Sequence, residues 1–297
     1  MWNAISRTIK IIRGKHLESK NNLETDSNFA KKNIPLIEAK NICKEFSSSR
    51  FFFGERKSVR ALENISLKIF PGTTYALVGE SGSGKSTLAN ILLDLLPADS
   101  GEVFFSEKNV SQFSRQEKKD FRKSVQIIFQ NPYESLNPAM RVKDIIEEPL
   151  AIHKIGDDKN VRQRIVNEMR TLTGLDSSLM ERHSWELSGG QRQRVAICAA
   201  MILRPKFLVC DECVSALDVL VQAQILNLLK DFQKSLGITY LFISHNIDAV
   251  SYMADTIGVM KDGRIVEEDH AENILQNPKH EYTKKLLAAS GIQESKL

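Results

Sequence analysis

One short stretch, residues 79–87, constrains the fold of this chain more than any other part of the sequence. It reads Gly-Glu-Ser-Gly-Ser-Gly-Lys-Ser-Thr and fits the pattern G-x-x-x-x-G-K-[ST] of phosphate-binding loops. Glycines allow a tight turn that aims backbone N–H groups at phosphate oxygens, Lys85 supplies a positive charge, and the Ser86 hydroxyl is placed to bind Mg²⁺. The candidate ligand-contacting residues of this loop are Gly79, Glu80, Ser81, Gly82, Ser83, Gly84, Lys85, Ser86 and Thr87.

The sequence around the loop predicts an α/β fold. Residues 75–78 are an apolar run typical of a buried strand, and residues 88–96 have the pattern of a helix whose N-terminus points at the anion. From Leu187 onward, predicted helices and strands alternate, which favours a mostly parallel sheet covered by helices on both faces. The strands predicted within residues 36–70 form an antiparallel addition.

Two further segments are predicted to be helical. Residues 131–186 form a helical insertion in the α/β core, with breaks at Pro132, Pro138 and Pro149. Residues 271–289 form a closing amphipathic helix. The insertion is therefore interpreted as a subdomain of the core and not as a separate domain.

The main domain is predicted to span residues 36–288, with an N-terminal extension at residues 1–34 and a tail at residues 289–297. The apolar side chains that recur at helical spacing in the extension, with basic residues around them, are Trp2, Ile5, Ile9 and Ile12. Two interpretations stay open: a basic amphipathic helix that lies on a membrane surface or a partner, or a loosely held helix followed by a polar linker.

Composition limits the possible classes of protein. The net charge is +4, from 41 basic and 37 acidic residues, which is too balanced to predict nucleic-acid binding by itself. Four scattered cysteines favour a reducing cytoplasm over a disulfide-stabilised secreted protein. No apolar run approaches the ~18 residues of a membrane span, and the first residues lack the apolar core of a secretory signal. Work at a membrane would therefore require other chains to cross it.

A pair of acidic residues follows another apolar run. Residues 207–210 are Phe-Leu-Val-Cys, and a strand buried in a parallel sheet would deliver Asp211 at its carboxyl end, where Mg²⁺ beside the phosphates needs an acidic ligand. Glu212 comes next and is a candidate to orient or deprotonate an attacking water. The pair alone is a weak signal, but it is a strong one in a chain that also carries a phosphate loop.

The segment Leu-Ser-Gly-Gly-Gln at residues 187–191 predicts a second anion-binding site. Ser188, Gly189 and Gly190 lie just ahead of a long predicted helix that starts at Gln191, and a helix N-terminus attracts phosphate. One nucleotide usually needs one such loop. We therefore predict a head-to-tail pair, in which the phosphate loop of one chain and the Ser-Gly-Gly of another close on the same nucleotide.

With these motifs in this order, the sequence resembles the ATP-binding-cassette (ABC) ATPases over residues 36–288. The resemblance implies a P-loop NTPase core with a mostly parallel sheet, an antiparallel β subdomain and a helical insertion. It implies ATP and Mg²⁺ as cofactors, with the metal held by Ser86, Gln130 and Asp211. It also implies an ATPase whose hydrolysis of ATP is coupled to transport across a membrane.

The same resemblance assigns roles to further residues. Gln130 matches the glutamine that links Mg²⁺ to the helical insertion, and Asp218 ends the Ser-Ala-Leu-Asp segment found at the dimer interface. His245 matches the switch histidine that contacts the γ-phosphate and acts in catalysis with Glu212. Phe46 matches the aromatic residue that stacks on adenine.

Three segments narrow the resemblance to the importers of oligopeptides, dipeptides and nickel: residues 130–138, 216–226 and 277–283. In that family two ATPase chains, identical or paralogous, lie beneath two membrane permeases at the cytoplasmic face of the inner membrane, and an external binding protein delivers the solute. Residues 131–154 are expected to contact the permeases. The implied function is to energise peptide uptake; the alternatives are uptake of nickel or another small solute, or a soluble ABC ATPase of DNA repair or translation.

Two positions depart from the family pattern. Cys213 stands where proline usually follows the acidic pair, and Asn246 stands where aspartate usually follows the switch histidine, but neither change removes a catalytic group. Cys210 and Cys213 have C-x-x-C spacing, yet the residues between them are assigned to Mg²⁺ and water, so a core-filling role is favoured over redox or metal chemistry. No cysteine follows Cys213, so no iron–sulfur cluster is expected.

Overall fold

A computed structural model describes residues 34–47, 58–131 and 135–290 of the chain. From Pro35 onward the described residues belong to one compact unit. The helix predicted within residues 1–34, and most of the predicted tail, lie outside the described residues, so those two predictions stay predictions.

Ten strands are formed by the described residues, and they divide between two sheets. The strands are β1 Ile37–Ser47, β2 Ser58–Ile69, β3 Thr74–Val78, β4 Ser100–Phe105, β5 Lys108–Asn109, β6 Val125–Ile128, β7 Phe207–Asp211, β8 Thr239–Ile243, β9 Thr256–Lys261 and β10 Arg264–His270. The helices are α1 Lys85–Leu92, α2 Arg115–Ser124, α3 Val142–Ile152, α4 Lys159–Leu172, α5 Gly189–Met201, α6 Val219–Leu236, α7 Ile247–Met253, α8 Ala271–Gln276 and α9 Glu281–Ala289.

The larger sheet has the strand order β10-β9-β3-β8-β7-β6. Five of its strands are parallel, and β10 joins the edge antiparallel to β9. All five residues of β3 and of β8 are buried, as expected for strands covered on both faces. The β9–β10 turn places Asp262 at φ 47° and Gly263 at φ 77°, the left-handed pair that a two-residue hairpin requires.

The smaller sheet has the order β2-β1-β4-β5 and is antiparallel throughout. The predicted α/β class, with an antiparallel addition to a mostly parallel sheet, is confirmed. Alternation along β3 explains how the layers are joined: Tyr75 and Leu77 face a core shared with the small sheet and α1, whereas Ala76 and Val78 face a core shared with α5 and α6. The phosphate loop at the end of β3 is thus fixed between two packed layers.

The helical insertion consists of α3 and α4, which pack on each other and on α5. The predicted break at Pro149 is wrong, because Pro149 lies inside α3. Its missing N–H removes one backbone bond, but Val142, Ile146 and Leu150 bury an apolar face that holds the helix together.

One other helix prediction is wrong, and one helix has no counterpart in the predictions. The closing helix predicted over residues 271–289 is two helices, α8 and α9, with Pro278 between them. Helix α7 was not predicted, although Asn246 caps it by accepting a hydrogen bond from the Ala249 N–H at 3.1 Å. Within the described part of the chain, no helix is long and apolar enough to span a bilayer.

Candidate functional site

The phosphate loop runs from the end of β3 to the start of α1 and is enclosed by backbone from two sides. A Cβ atom at Gly79 would lie 2.1 Å from the Met260 carbonyl oxygen of β9, and one at Gly84 would lie 2.4 Å from the Ala61 carbonyl oxygen of β2. Gly84 has φ 103°, which disfavours any side chain. Glycine is therefore required at both positions by space as well as by conformation.

Lys85 is held inside the curve of the loop. Its Nζ donates to the carbonyl oxygens of Gly79 at 2.9 Å and Glu80 at 2.7 Å, and the residue is only 5% exposed. Burial lowers the pKa of the Lys85 ammonium, and the charges of Glu212 and Asp211 act in the opposite direction. A buried ammonium with weak carbonyl partners is poised to exchange them for phosphate oxygens.

The N-terminus of α1 completes the anion-binding features of the loop. Its N-cap residue, Gly84, offers no side-chain acceptor, so the N–H groups of the first turn point into the loop without a capping side chain. Three glycines of the loop, at φ 152° for Gly79, 80° for Gly82 and 103° for Gly84, let the backbone curl around this point. The residues present therefore fit a polyphosphate.

Ser86 and Asp211 form the core of the candidate metal site. Burial raises the pKa of the Asp211 carboxylate, although hydrogen bonding with the Ser86 side chain acts to lower it. A hydroxyl and a carboxylate are the hard oxygen donors that Mg²⁺ prefers, so the pair fits the metal. Gln130, the third predicted ligand, lines one cleft with Asp211, but its amide nitrogen donates to Glu212 at 2.8 Å.

The two predicted catalytic residues are brought together. His245 Nδ1 lies 3.3 Å from Glu212 Oε2, the same oxygen that accepts the hydrogen bond from Gln130. Three neighbouring parallel strands bring these side chains together. Gln130 follows β6, Glu212 follows β7 and His245 follows β8. Carboxyl ends of parallel strands meet at one edge of the sheet, and β3 delivers the phosphate loop to the same edge.

The backbone of Glu212 is held in a conformation that is costly for a residue with a side chain. Its φ is 47°, in the left-handed region. The Glu212 N–H donates to the Ile243 carbonyl oxygen at 2.9 Å, and the Ser215 hydroxyl donates to the Glu212 carbonyl oxygen at 2.9 Å. These bonds fix the direction of the carboxylate.

The Leu-Ser-Gly-Gly-Gln segment at residues 187–191, here called the signature, lies on different elements from the phosphate loop. Ser188 caps α5 in a reciprocal box with Gln191, with Ser188 N–H to Gln191 Oε1 at 2.9 Å and Gln191 N–H to Ser188 Oγ at 3.3 Å. Gly189 and Gly190 are the first residues of α5, so the helix begins two residues earlier than predicted. Helix α5 packs against α3, α4 and β6, whereas α1 packs against β2, β7 and β8.

Asp218 and Phe46, two further predicted site residues, lie on other elements. The Asp218 carboxylate accepts the Val221 N–H at 2.9 Å and so caps α6. Phe46 lies at the end of β1, is 43% exposed, and has the Lys44 ammonium 5.7 Å from its ring centroid. Its ring is thus available for stacking, and its strand partner Val59 is close in sequence to Ala61, which touches the loop.

The C-x-x-C pair is buried. Cys210 and Cys213 are free thiols, and both are almost completely inaccessible to solvent. Hydrogen bonding to Cys213 and burial raise the pKa of the Cys210 thiol well above its ordinary value. Because the thiolate is the reactive form, this environment supports the core-filling interpretation.

The sequence does not predict one residue that contacts the phosphate loop, Tyr282. The Glu80 N–H donates to the Tyr282 hydroxyl oxygen at 3.1 Å, across the gap between the phosphate loop and α9. Tyr282 lies in the segment 277–283, which resembles the importer family. Nothing in the spacing of the sequence places it beside the loop.

Comparisons with known proteins agree with this geometry. The family model described as ABC transporter matches residues 62–215. The oligopeptide transport ATP-binding protein OppF of Bacillus subtilis is 46% identical over 239 residues, which cover 80% of this chain and 78% of that protein. The dipeptide transport ATP-binding protein DppF of Haemophilus influenzae is 41% identical over 264 residues, 89% of this chain and 80% of that protein.

A solved structure has the same architecture. The ATP-binding cassette MJ0796, in a dimeric post-hydrolysis state with ADP and phosphate, matches with a TM-score of 0.70 and 28% sequence identity. The match covers 79% of this chain and 98% of that cassette. Together with the loop, the acidic pair and the relatives above, it identifies the chain as a member of the ABC transporter family of ATPases.

Proposed function

We propose that this chain is the ATP-binding and ATP-hydrolysing subunit of an importer and that it energises the uptake of peptides through partner permeases. The observation that carries the proposal is the placement of Glu212, whose carboxylate lies between Gln130 and His245 at the edge of the sheet that bears the phosphate loop. Support for peptides as cargo comes from the relatives, which are named as oligopeptide and dipeptide transport proteins.

ATP binding in this proposal uses groups that already face the loop. The phosphates lie against the loop and the N-terminus of α1, and Lys85 exchanges its carbonyl contacts for contacts with the outer phosphates. Mg²⁺, held by Ser86, Asp211 and Gln130, would neutralise charge on the transferred phosphoryl group. The exposed ring of Phe46 stacks on adenine.

Hydrolysis then depends on Glu212 and His245. The Glu212 carboxylate accepts a hydrogen bond from the attacking water and orients it toward the γ-phosphate, which His245 also contacts. Gln130 holds the same carboxylate oxygen, so a shift of Gln130 toward the metal would free Glu212 for the water. The fixed backbone at Glu212 limits the reorganisation needed during the reaction.

The second half of the nucleotide site comes from another cassette, identical or paralogous. The N-terminus of its α5, with the residues equivalent to Ser188, Gly189, Gly190 and Gln191, closes on the γ-phosphate of the first. Asp218 lies at this interface, where it holds the start of α6. Support comes from the separate placement of the loop and the signature within this chain.

Two permeases and an external binding protein complete the proposed importer. The described part of residues 131–154 is the proposed permease contact, and Ile152 at the end of α3 is 64% exposed there. The subunit would lie peripherally at the cytoplasmic face of the inner membrane. The cargo is set by the other chains.

Replacement of Glu212 tests the proposal. Glu212→Gln should bind ATP with unchanged affinity but hydrolyse it about 10²- to 10⁴-fold more slowly, because the amide cannot accept the proton of the water. Glu181→Gln is the matched control, since Glu181 forms ion pairs with Arg141 and Lys143 on the surface. Phosphate release and equilibrium ATP binding are measured on both variants; normal hydrolysis by Glu212→Gln would refute the proposal.

A further inference from the structure

Tyr282 joins the C-terminal helix α9 to the phosphate loop through one peptide group. The Gly79–Glu80 peptide has its N–H bonded to the Tyr282 hydroxyl oxygen at 3.1 Å, and its carbonyl oxygen accepts the Lys85 ammonium at 2.9 Å. The two ends of one rigid, planar group are therefore held by two side chains. A rotation of that plane would move both contacts at once.

The tyrosine is itself fixed. Tyr282 is 8% exposed, and the Lys261 ammonium lies 5.1 Å from the ring centroid. The backbone ahead of it is anchored to β10, because the N–H groups of Lys279 and His280 donate to the Glu267 carboxylate at 2.7 Å and 3.0 Å. His280 Nδ1 then accepts the Tyr282 N–H at 3.1 Å.

We propose that Tyr282 is a positioning residue for ATP binding, which orients the Gly79–Glu80 peptide so that Lys85 stays directed at the outer phosphates. This inference rests on the loop being the ATP site. The role of the segment 277–283 in this proposal is to hold Tyr282 beside the phosphate loop through its anchored turn. A Cβ at Gly79 would lie 2.1 Å from the Met260 carbonyl oxygen, so no side chain of residue 79 can orient this peptide.

The substitution Tyr282→Phe tests the inference because it keeps the ring and removes only the hydroxyl. We expect the Kd for ATP of the full chain to rise about three- to tenfold, the usual effect of one lost hydrogen bond. The melting temperature of the nucleotide-free protein should stay near that of the control. The control is Tyr252→Phe, which loses a surface hydrogen bond to Asn227 and leaves the loop untouched.

Hydrogen exchange shows whether the substitution acts at the observed bond, so that a change in the ATP Kd can be assigned to it. The Glu80 amide should exchange faster in Tyr282→Phe and not in Tyr252→Phe. An ATP Kd equal to that of the control, measured where both variants are fully folded, would overturn the inference and leave the proposed function intact. A wild-type chain that bound no ATP would contradict the proposed function and this inference together.

Discussion

At the scale of single residues, the site concentrates groups in unfavourable states. Glu212 adopts a left-handed backbone conformation, Lys85 is an almost fully buried ammonium, and burial raises the pKa of Asp211. Each costs stability in the nucleotide-free protein, and phosphates beside Lys85 and a metal beside Asp211 would offset the cost of the two buried charges. Such costs are expected where residues are kept for function.

Asp211→Asn should separate stability from activity. Because burial raises the pKa of Asp211 above its ordinary value, the cost of the buried carboxylate is absent below the unfolded-state pKa and complete above the folded-state pKa. The variant should therefore melt higher than the wild type near neutral pH, with a difference that shrinks as the pH falls through that window. Thermal melts between about pH 3 and about pH 8 extend to both sides of the ordinary aspartate pKa of ~3.9 and measure this difference.

The control for that change is Asp231→Asn, since Asp231 is an exposed aspartate of α6. It should show no comparable pH-dependent gain. An Asp211→Asn variant that melts lower than the wild type at neutral pH would show that the Ser86 bond outweighs the burial cost. Hydrolysis of ATP should be lost in Asp211→Asn at every pH.

At the scale of elements, local sequence patterns predict some helices and strands correctly and fail for others. The strand predicted over residues 207–210 forms as β7, because an apolar run that ends in two acidic residues is a clear local signal. The sequence predicts a break at Pro149, whereas the packing that stabilises α3 comes from α5, far away in sequence. The Tyr282–Glu80 bond was missed for the same reason: tertiary packing, not periodicity, creates it.

The close approach of β2 to the phosphate loop makes Gly84 more sensitive than other glycines with positive φ. Gly84→Ala combines left-handed strain with a clash against the Ala61 carbonyl oxygen at 2.4 Å, so it should cost more than the ~1–3 kcal/mol of strain alone. Gly72→Ala, at φ 73° with no atom within 4 Å, is the matched control and should cost about 1 kcal/mol. Urea unfolding gives both values; equal losses would contradict the proposed close packing.

At the scale of the whole molecule, the chain holds the parts of a nucleotide site on two sets of elements. The phosphate loop, Asp211, Glu212 and His245 converge at one edge of the large sheet, whereas Ser188 caps α5 beside the helical insertion. The sequence predicted both groups of residues, because each motif is local. In the proposed function their relation is set by the assembly, because Ser188 of one cassette completes the ATP site of another.

Ser188→Arg tests that claim most directly. If the signature serves the ATP site of another cassette, the isolated variant should bind ATP as tightly as the wild type, while ATP hydrolysis and labelled-peptide uptake by the assembled transporter fall to background. Ser114→Arg is the matched control, because it removes an equivalent capping box from α2. A fall in the ATP affinity of the isolated Ser188→Arg chain beyond that of the control, or normal uptake by its transporter, would contradict the account.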